Sequence, residues 1–299
     1  MSIRTVAILS PGDMGHAVGR ALGEHGIDVV TCLQGRSERT RDLARRASIK
    51  DIPSLEELVA RADLVLSIVV PSEALNLAQR VAEALRARGV DIPFADCNAI
   101  SPRTAQEIDA IITAAGGRFI DASIIGGPPK GNQSPRFYAS GPDVECLAEL
   151  DGKGIQVRPI GDRVGRASGL KMCYAALTKG TSALHLALLA TAEILGLSPE
   201  LANELASSQP DAYRRMKGQL PRLPANARRW VGEMEEIAAT FAQAGLTPYL
   251  HRGAAEVFRR LGQTALADET PETSDTSRTL EQTIAIFAQT IQGQPGGEP

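Results

Sequence analysis

Residues 3–15 read IRTVAILSPGDMG, and this stretch decides the fold. An apolar run from Ile3 to Leu9 enters a turn made of Ser10, Pro11, Gly12, Asp13, Met14 and Gly15. A helical pattern then continues to about His25. Small residues at such a turn let the backbone approach a pyrophosphate, and the N-terminus of the helix that follows offers N–H groups and partial positive charge. The dinucleotide fingerprint is GxGxxG. Here Ser10 takes its first position, and Gly12 and Gly15 take the other two. A plain strand–turn–helix junction is the bland alternative; context favours the dinucleotide, because the turn follows the first strand of an alternating half.

Working outward, the alternation persists. Further β-like runs lie at 28–33 (DVVTCL), 63–70 (DLVLSIVV) and 93–97 (PFADC). The second of these is almost wholly apolar, as a parallel strand covered on both faces should be. Polar residues 36–46 read as a helix. Ser72 is expected to cap the helix after Pro71, and Ser101 the helix that opens with Pro102. Such alternation predicts an open parallel sheet with helices on both sides. The short pieces RFIDA, RFYAS and IQVRPI within 118–160 extend it. From Ser168 to Leu195 the pattern is helical for roughly 42 Å at 1.5 Å per residue. No strand-like segment follows. Residues 199–265 read as helices broken near Pro210, Pro221, Pro224 and Pro248, residues 267–278 as a polar loop, and the tail QGQPGGEP as disordered. The α/β half and the helical half meet near residue 165.

Composition narrows the function. The 299 residues carry 32 basic and 35 acidic side chains, a net charge of -3, and 4% aromatics. That balance lacks the basic excess of a nucleic-acid or membrane-surface binder and offers few stacking platforms. No apolar run reaches the length of a secretory signal or a membrane span. The cysteines Cys32, Cys97, Cys146 and Cys173 have no metal-ligand spacing and read as small hydrophobes in a reducing compartment. The expected location is the cytoplasm, with no metal site.

Two segments speak to chemistry. After the second strand the chain reads QGRSER, with Arg36 and Arg39 as cations and Ser37 and Thr40 as hydroxyls. An acidic residue here would hold a ribose 2′-hydroxyl, whereas Arg grips a 2′-phosphate with paired donors. The expected cofactor is therefore NADP rather than NAD, against the alternative of a solvated Arg-rich helix start. On the long helix, Lys171, Tyr174, Thr178, Ser182 and His185 fall within an arc of about 80° at 100° per residue. This stripe lines a cleft or is a solvated face. Lys171 and His185 lie about 21 Å apart, too far to share one small-molecule site. The end bearing Lys171 is favoured, because a lysine beside a nicotinamide can move the hydroxyl proton that accompanies hydride transfer. His185 reads as a core or interface histidine and Lys179 as a residue of another face.

Three motifs resemble those of the β-hydroxyacid dehydrogenase and 6-phosphogluconate dehydrogenase-like superfamily. SPGDMG, Ser10 to Gly15, resembles its N-terminal GLGNMG-type turn. DASIIGG, Asp121 to Gly127, resembles its substrate-binding DAPVSGG segment. GDRVGRASGLKMCY, Gly161 to Tyr174, resembles its GxxGxGxxxKxxN helix start. The resemblance implies a Rossmann-type NAD(P)-binding domain over 1–164, followed over 165–299 by an all-helical domain that also makes a homodimer. It implies Lys171 as the catalytic lysine, Ser123, Gly126 and Gly127 in the substrate segment, Val70 and Pro71 in a cofactor-contacting turn, and Asn98 near the nicotinamide ribose. LKMCYAALTKG and EMEEIAATFAQAGL resemble a branch with its own C-terminal helical domain.

There are departures. Ile125 replaces the family's substrate-contacting Ser, and Tyr174 replaces its Asn. The substrate is then not plain 3-hydroxyisobutyrate or tartronate semialdehyde. The Gly126 and Gly127 amides remain to meet a carboxylate, and the Tyr174 hydroxyl stands in for the lost amide. The expected activity is NADP-dependent hydride transfer between nicotinamide and a small hydroxy acid or its keto counterpart. An NADPH-dependent imine reductase and a non-catalytic NADPH-binding sensor are the alternatives. Trp230, Glu233 and His251 are further candidates in the helical half.

Overall fold

A computed structural model describes residues 3–131, 133–270 and 272–293. The chain divides into two units, Met1–Cys173 and Tyr174–Pro299, where the sequence placed the boundary at 164/165.

The first unit is built on an eight-stranded sheet of order β3-β2-β1-β4-β5-β6-β7-β8. Its strands are β1 (Thr5–Leu9), β2 (Asp28–Thr31), β3 (Lys50–Asp51), β4 (Leu64–Ser67), β5 (Pro93–Asp96), β6 (Arg118–Ile125), β7 (Arg136–Ser140) and β8 (Gln156–Pro159). β1 to β6 are parallel; β7 runs antiparallel to β6, and β8 is parallel to β7. The helices are α1 (Asp13–Glu24), α2 (Glu38–Arg46), α3 (Leu55–Arg61), α4 (Pro71–Arg88), α5 (Pro102–Thr113), α6 (Val144–Ala148) and the start of α7 (Arg166–Ile194).

The continuous apolar runs follow from a core on each face of the sheet. Val6 and Ile8 of β1 and Leu64 and Leu66 of β4 join Val18 and Leu22 of α1 on one face. The intervening Ala7, Leu9 and Val65 join Leu77, Val81 and Leu85 of α4 and Ile108 and Ile112 of α5 on the other. Alternate side chains point to opposite faces, so burying both faces removes any polar alternation.

Local signals set the ends. Ser37 accepts from the Thr40 amide to cap α2, and Ser101 accepts from the Thr104 amide to cap α5, with Pro102 in its first turn. Ser72 does not cap α4: that helix begins at Pro71 behind Val70, which has no capping side chain. The strand expected over 63–70 stops at Ser67, and the Val69 amide donates instead to Asn98 Oδ1 at 2.6 Å.

The described residues of the second unit form helices and turns only: the rest of α7, then α8 (Ser198–Ser208), α9 (Pro210–Gln219), α10 (Ala227–Gln243), α11 (Tyr249–Leu261) and α12 (Leu280–Gln292). Pro221 and Pro224 sit in 3-10 turns, and Pro248 precedes α11. Met234, Ile237, Ala255, Phe258, Leu261, Ile284 and Phe287 are among its buried side chains. Gln292 closes α12; the part of the predicted disordered tail beyond Gly293 lies outside the described residues.

Candidate active site

The predicted cofactor residues gather at the carboxyl ends of neighbouring parallel strands: Ser10–Gly15 after β1, Arg36 and Ser37 after β2, Val70 and Pro71 after β4, and Asn98 after β5. The strand order reverses direction between β1 and β4, the place where open α/β sheets bind ligands.

The turn after β1 is shaped for close approach. Ser10 has φ 64, a left-handed conformation that glycine adopts most cheaply, which accounts for the family's Gly at this position. Gly12 donates its amide to Ser10 O at 2.7 Å. A Cβ on Gly12 would meet nothing within 4 Å, so its missing side chain leaves open space at the start of α1. Gly12 offers that helix no side-chain cap. A Cβ on Gly15 would fall 2.9 Å from Ser10 O and 3.3 Å from Ile8 Cγ2, so Gly15 is required for packing α1 against β1. Pro11 is buried, Met14 packs on the core, and Asp13 forms an ion pair with Arg39.

Past β2, Arg36 differs from its neighbours. It is half-buried, and among the described residues its guanidinium has no ion pair or hydrogen bond. Burial, then the charge of Arg80, pushes its pKa down from the usual arginine value. Arg41 steadies the loop by donating to Leu33 O at 2.7 Å and Arg36 O at 3.3 Å. A half-buried cation beside a second cation is relieved by an anion. The open space at Gly12 and the uncapped start of α1 fit the pyrophosphate of a nicotinamide dinucleotide.

Two predicted contacts are buried. Asn98 is 3% exposed. Its side chain donates to Ser67 Oγ at 3.0 Å and Asp96 Oδ2 at 2.8 Å and accepts from the Val69 amide, so its amide group ties the ends of β4 and β5 together. Ser123 lies inside β6, fully buried, and its hydroxyl has no hydrogen-bond partner among the described residues. Both side chains lie where the sheet is covered. Val70, by contrast, is exposed.

The segment after β6 meets the long helix. Lys171 Nζ donates to Ile124 O at 2.6 Å, which fixes the half-buried ammonium at the end of β6. Gly126, with φ +119, and Gly127 follow at once, both exposed and beyond the last β6–β7 pair. Ile125 is buried. The sequence reading gave no role to Asp121, which anchors this arrangement. Its buried carboxylate accepts from the amides of Gly165, Ala167 and Ser168 at 2.8, 3.0 and 3.2 Å. It also accepts from Ser140 Oγ at 2.9 Å and Ser168 Oγ at 2.5 Å. Burial pushes its pKa up, while Ser168, Ser140 and Gly165 draw it back down. A charged residue within the apolar strand RFIDASII was the available signal.

In the second unit, Tyr174 is 45% exposed. His185 is half-buried, and burial with the charge of Arg215 pushes its pKa down. His251 lies buried in the first turn of α11 against the Phe241 ring, with centroids 4.3 Å apart; burial pushes its pKa down too. It is a core histidine. Lys179 pairs with Glu233 at 2.5 Å and lies over the Trp230 ring.

A doubly wound sheet with a bare helix start at its switch point defines a dinucleotide-binding protein. Residues 5–148 match the family described as the NAD binding domain of 6-phosphogluconate dehydrogenase, and residues 192–261 match a domain of unknown function, DUF1932. The first half of the chain thus carries an NAD-binding domain of the 6-phosphogluconate dehydrogenase type, and the second half carries the DUF1932 domain. An uncharacterised 28.5 kDa protein of Methanothermus fervidus is 28% identical over 236 residues, covering 79% of this chain and 90% of its own. A solved conserved protein of unknown function, described as structurally similar to 3-hydroxyacid dehydrogenases, is 29% identical with TM-score 0.62, covering 86% of this chain and 96% of its own. The 3-hydroxyisobutyrate dehydrogenase of Mycobacterium tuberculosis, solved with L-serine, shares the fold: TM-score 0.68, 19% identity, 96% of this chain and 99% of that one.

Proposed function

We propose that this protein is an NADP-dependent oxidoreductase that interconverts a small hydroxy acid and its keto counterpart, with Lys171 carrying the proton. The observation that carries the reading is the Lys171 ammonium, anchored on Ile124 O beside the exposed Gly126–Gly127 backbone. When bound, the nicotinamide supplies or accepts the hydride. Gly12 and the first turn of α1 would hold the pyrophosphate, Arg36 the 2′-phosphate, and Val70 and Pro71 would border the nicotinamide half. In reduction the Lys171 ammonium gives a proton to the forming alkoxide; in oxidation the neutral amine takes the hydroxyl proton. The Gly126 and Gly127 amides orient the substrate carboxylate, and the exposed Tyr174 hydroxyl replaces the amide lost at its position. Buried Ile125 removes a polar contact from that segment and favours a substrate with an apolar group there.

The test is a panel of hydroxy acids and keto acids, followed through NADPH absorbance, on wild type and Lys171→Ala. Turnover in the variant should fall at least about 10²-fold, with NADPH affinity retained. Full turnover in Lys171→Ala would exclude this lysine as the proton carrier. The reading extends to a homodimer formed through exposed leucines of the helical unit.

A further inference from the structure

The second unit contains a cavity of about 430 Å³, within the size range of small-molecule sites. It is an open pocket lined by α7, the end of α9, the 3-10 turns that follow, and α10. Its chemistry is lopsided. Lys179, Arg222, Gln219, Ser182, Leu223 and Trp230 contribute to its walls, and among the described residues no carboxylate does. The Lys179 charge is met from outside the cavity: Glu233 pairs with it at 2.5 Å, the two side chains being 11% and 6% exposed. That ion pair also holds the ammonium 5.4 Å from the centroid of the Trp230 ring, whose edge packs against Phe258. Arg222 has no such match. Among the described residues its guanidinium makes no ion pair or hydrogen bond, and the Gln219 side-chain amide beside it makes none. The cavity walls therefore include an unmatched cation and an amide donor together with the apolar surfaces of Leu223 and the Trp230 indole.

From this combination we infer that the helical unit binds a small organic carboxylate. The acid group sits on the paired donors of Arg222, supported by Gln219, and the apolar body lies along Leu223 and Trp230. Guanidinium recognises carboxylates with two parallel bonds, and such charge-assisted bonds are the strong ones. The site does not depend on the hydride-transfer reading, since neither Lys171 nor any cofactor residue contributes to its walls.

Trp230 is the only tryptophan in the chain, so occupancy is readable directly. Benzoate is titrated into the full-length protein without cofactor, with indole emission and titration calorimetry as parallel readouts. Wild type should give a saturable response, weakened at least tenfold in Arg222→Ala, whose side chain is exposed, with unchanged circular dichroism confirming that the variant folds. Inorganic phosphate, which has no apolar body, should bind more weakly than benzoate. Lys171→Ala should leave the benzoate curve unchanged, so loss of turnover and loss of this site are separable. The inference is overturned if neither readout saturates with wild type, if Arg222→Ala binds as wild type does, or if Lys171→Ala abolishes binding.

Discussion

Ser10 and Arg36 carry the residue-scale argument. Holding a non-glycine residue at φ 64 costs roughly 1–2 kcal/mol, yet the turn survives because Gly12 closes it through Ser10 O and Gly15 lets α1 lie against it. Arg36 is the position where cofactor choice is exposed to mutation. Losing one charge-assisted contact is worth about 1.5–3 kcal/mol. Arg36→Ala should therefore raise the KM for NADPH by roughly 10- to 100-fold and leave that for NADH nearly unchanged, in paired steady-state kinetics. An unaltered NADPH preference would remove Arg36 from the specificity argument. Residue identity was legible here because charge and turn propensity are local properties. Burial at Ser123 and Asn98 was not, because it depends on how strand ends are covered.

At the scale of elements, Asp121 joins β6 to the first turn of α7. An acidic group at a helix N-terminus complements the helix dipole and satisfies amides that have no partner within the helix. Asp121→Ala leaves the Gly165 and Ser168 amides and two hydroxyls short of an acceptor, while the Ala167 amide keeps Ser140 Oγ at 3.1 Å. Each unsatisfied buried group costs about 1–3 kcal/mol. The variant should melt several degrees lower and lose turnover through misplacement of Lys171; an unchanged melting temperature would contradict the anchoring role.

A second element-scale device pins the polar loop before α12. Arg278, 5% exposed at its side chain, donates to both carboxylate oxygens of Glu269 and to Pro221 O. The bond from Arg278 holds the Glu269 carboxyl below its usual pKa, against burial, which pushes it up. The folded pKa is thus below the unfolded value of about 4.3. The pair's stabilisation is present above that value and fades as pH falls through the folded pKa. Melting temperatures of wild type and Glu269→Gln should differ at pH 7 and converge toward pH 3; a constant gap would mean the pair is not what titrates.

The alternating elements were readable because both faces of the parallel strands are apolar, and Pro and Gly mark the joints. α12 is harder to read from the sequence, although Thr279 and Gln282 form a capping box at its start. Its apolar positions Leu280, Ile284 and Phe287 stand between a polar loop and a Gly-rich tail, a frame that hides a single helix.

At the scale of the whole molecule, exposed apolar surface on the helical unit bears on assembly. Leu177 and Leu184, 68% and 62% exposed, recur one heptad apart on α7, and Leu195 is 64% exposed near its end. A second copy covering this face would bury them. Leu177→Glu combined with Leu184→Glu should convert a dimer to a monomer by size-exclusion with light scattering; an unchanged mass would place any interface elsewhere.

The sheet itself gives no foothold for such growth. One border, β3, is only Lys50 and Asp51, and the other, β8, carries Arg158 and ends on Pro159. A two-residue charged rim and a rim closed by an imino acid offer a stranger's extended backbone almost nothing to zip onto. Crowded solutions of this protein should stay free of cross-β clumping even where its helices find company.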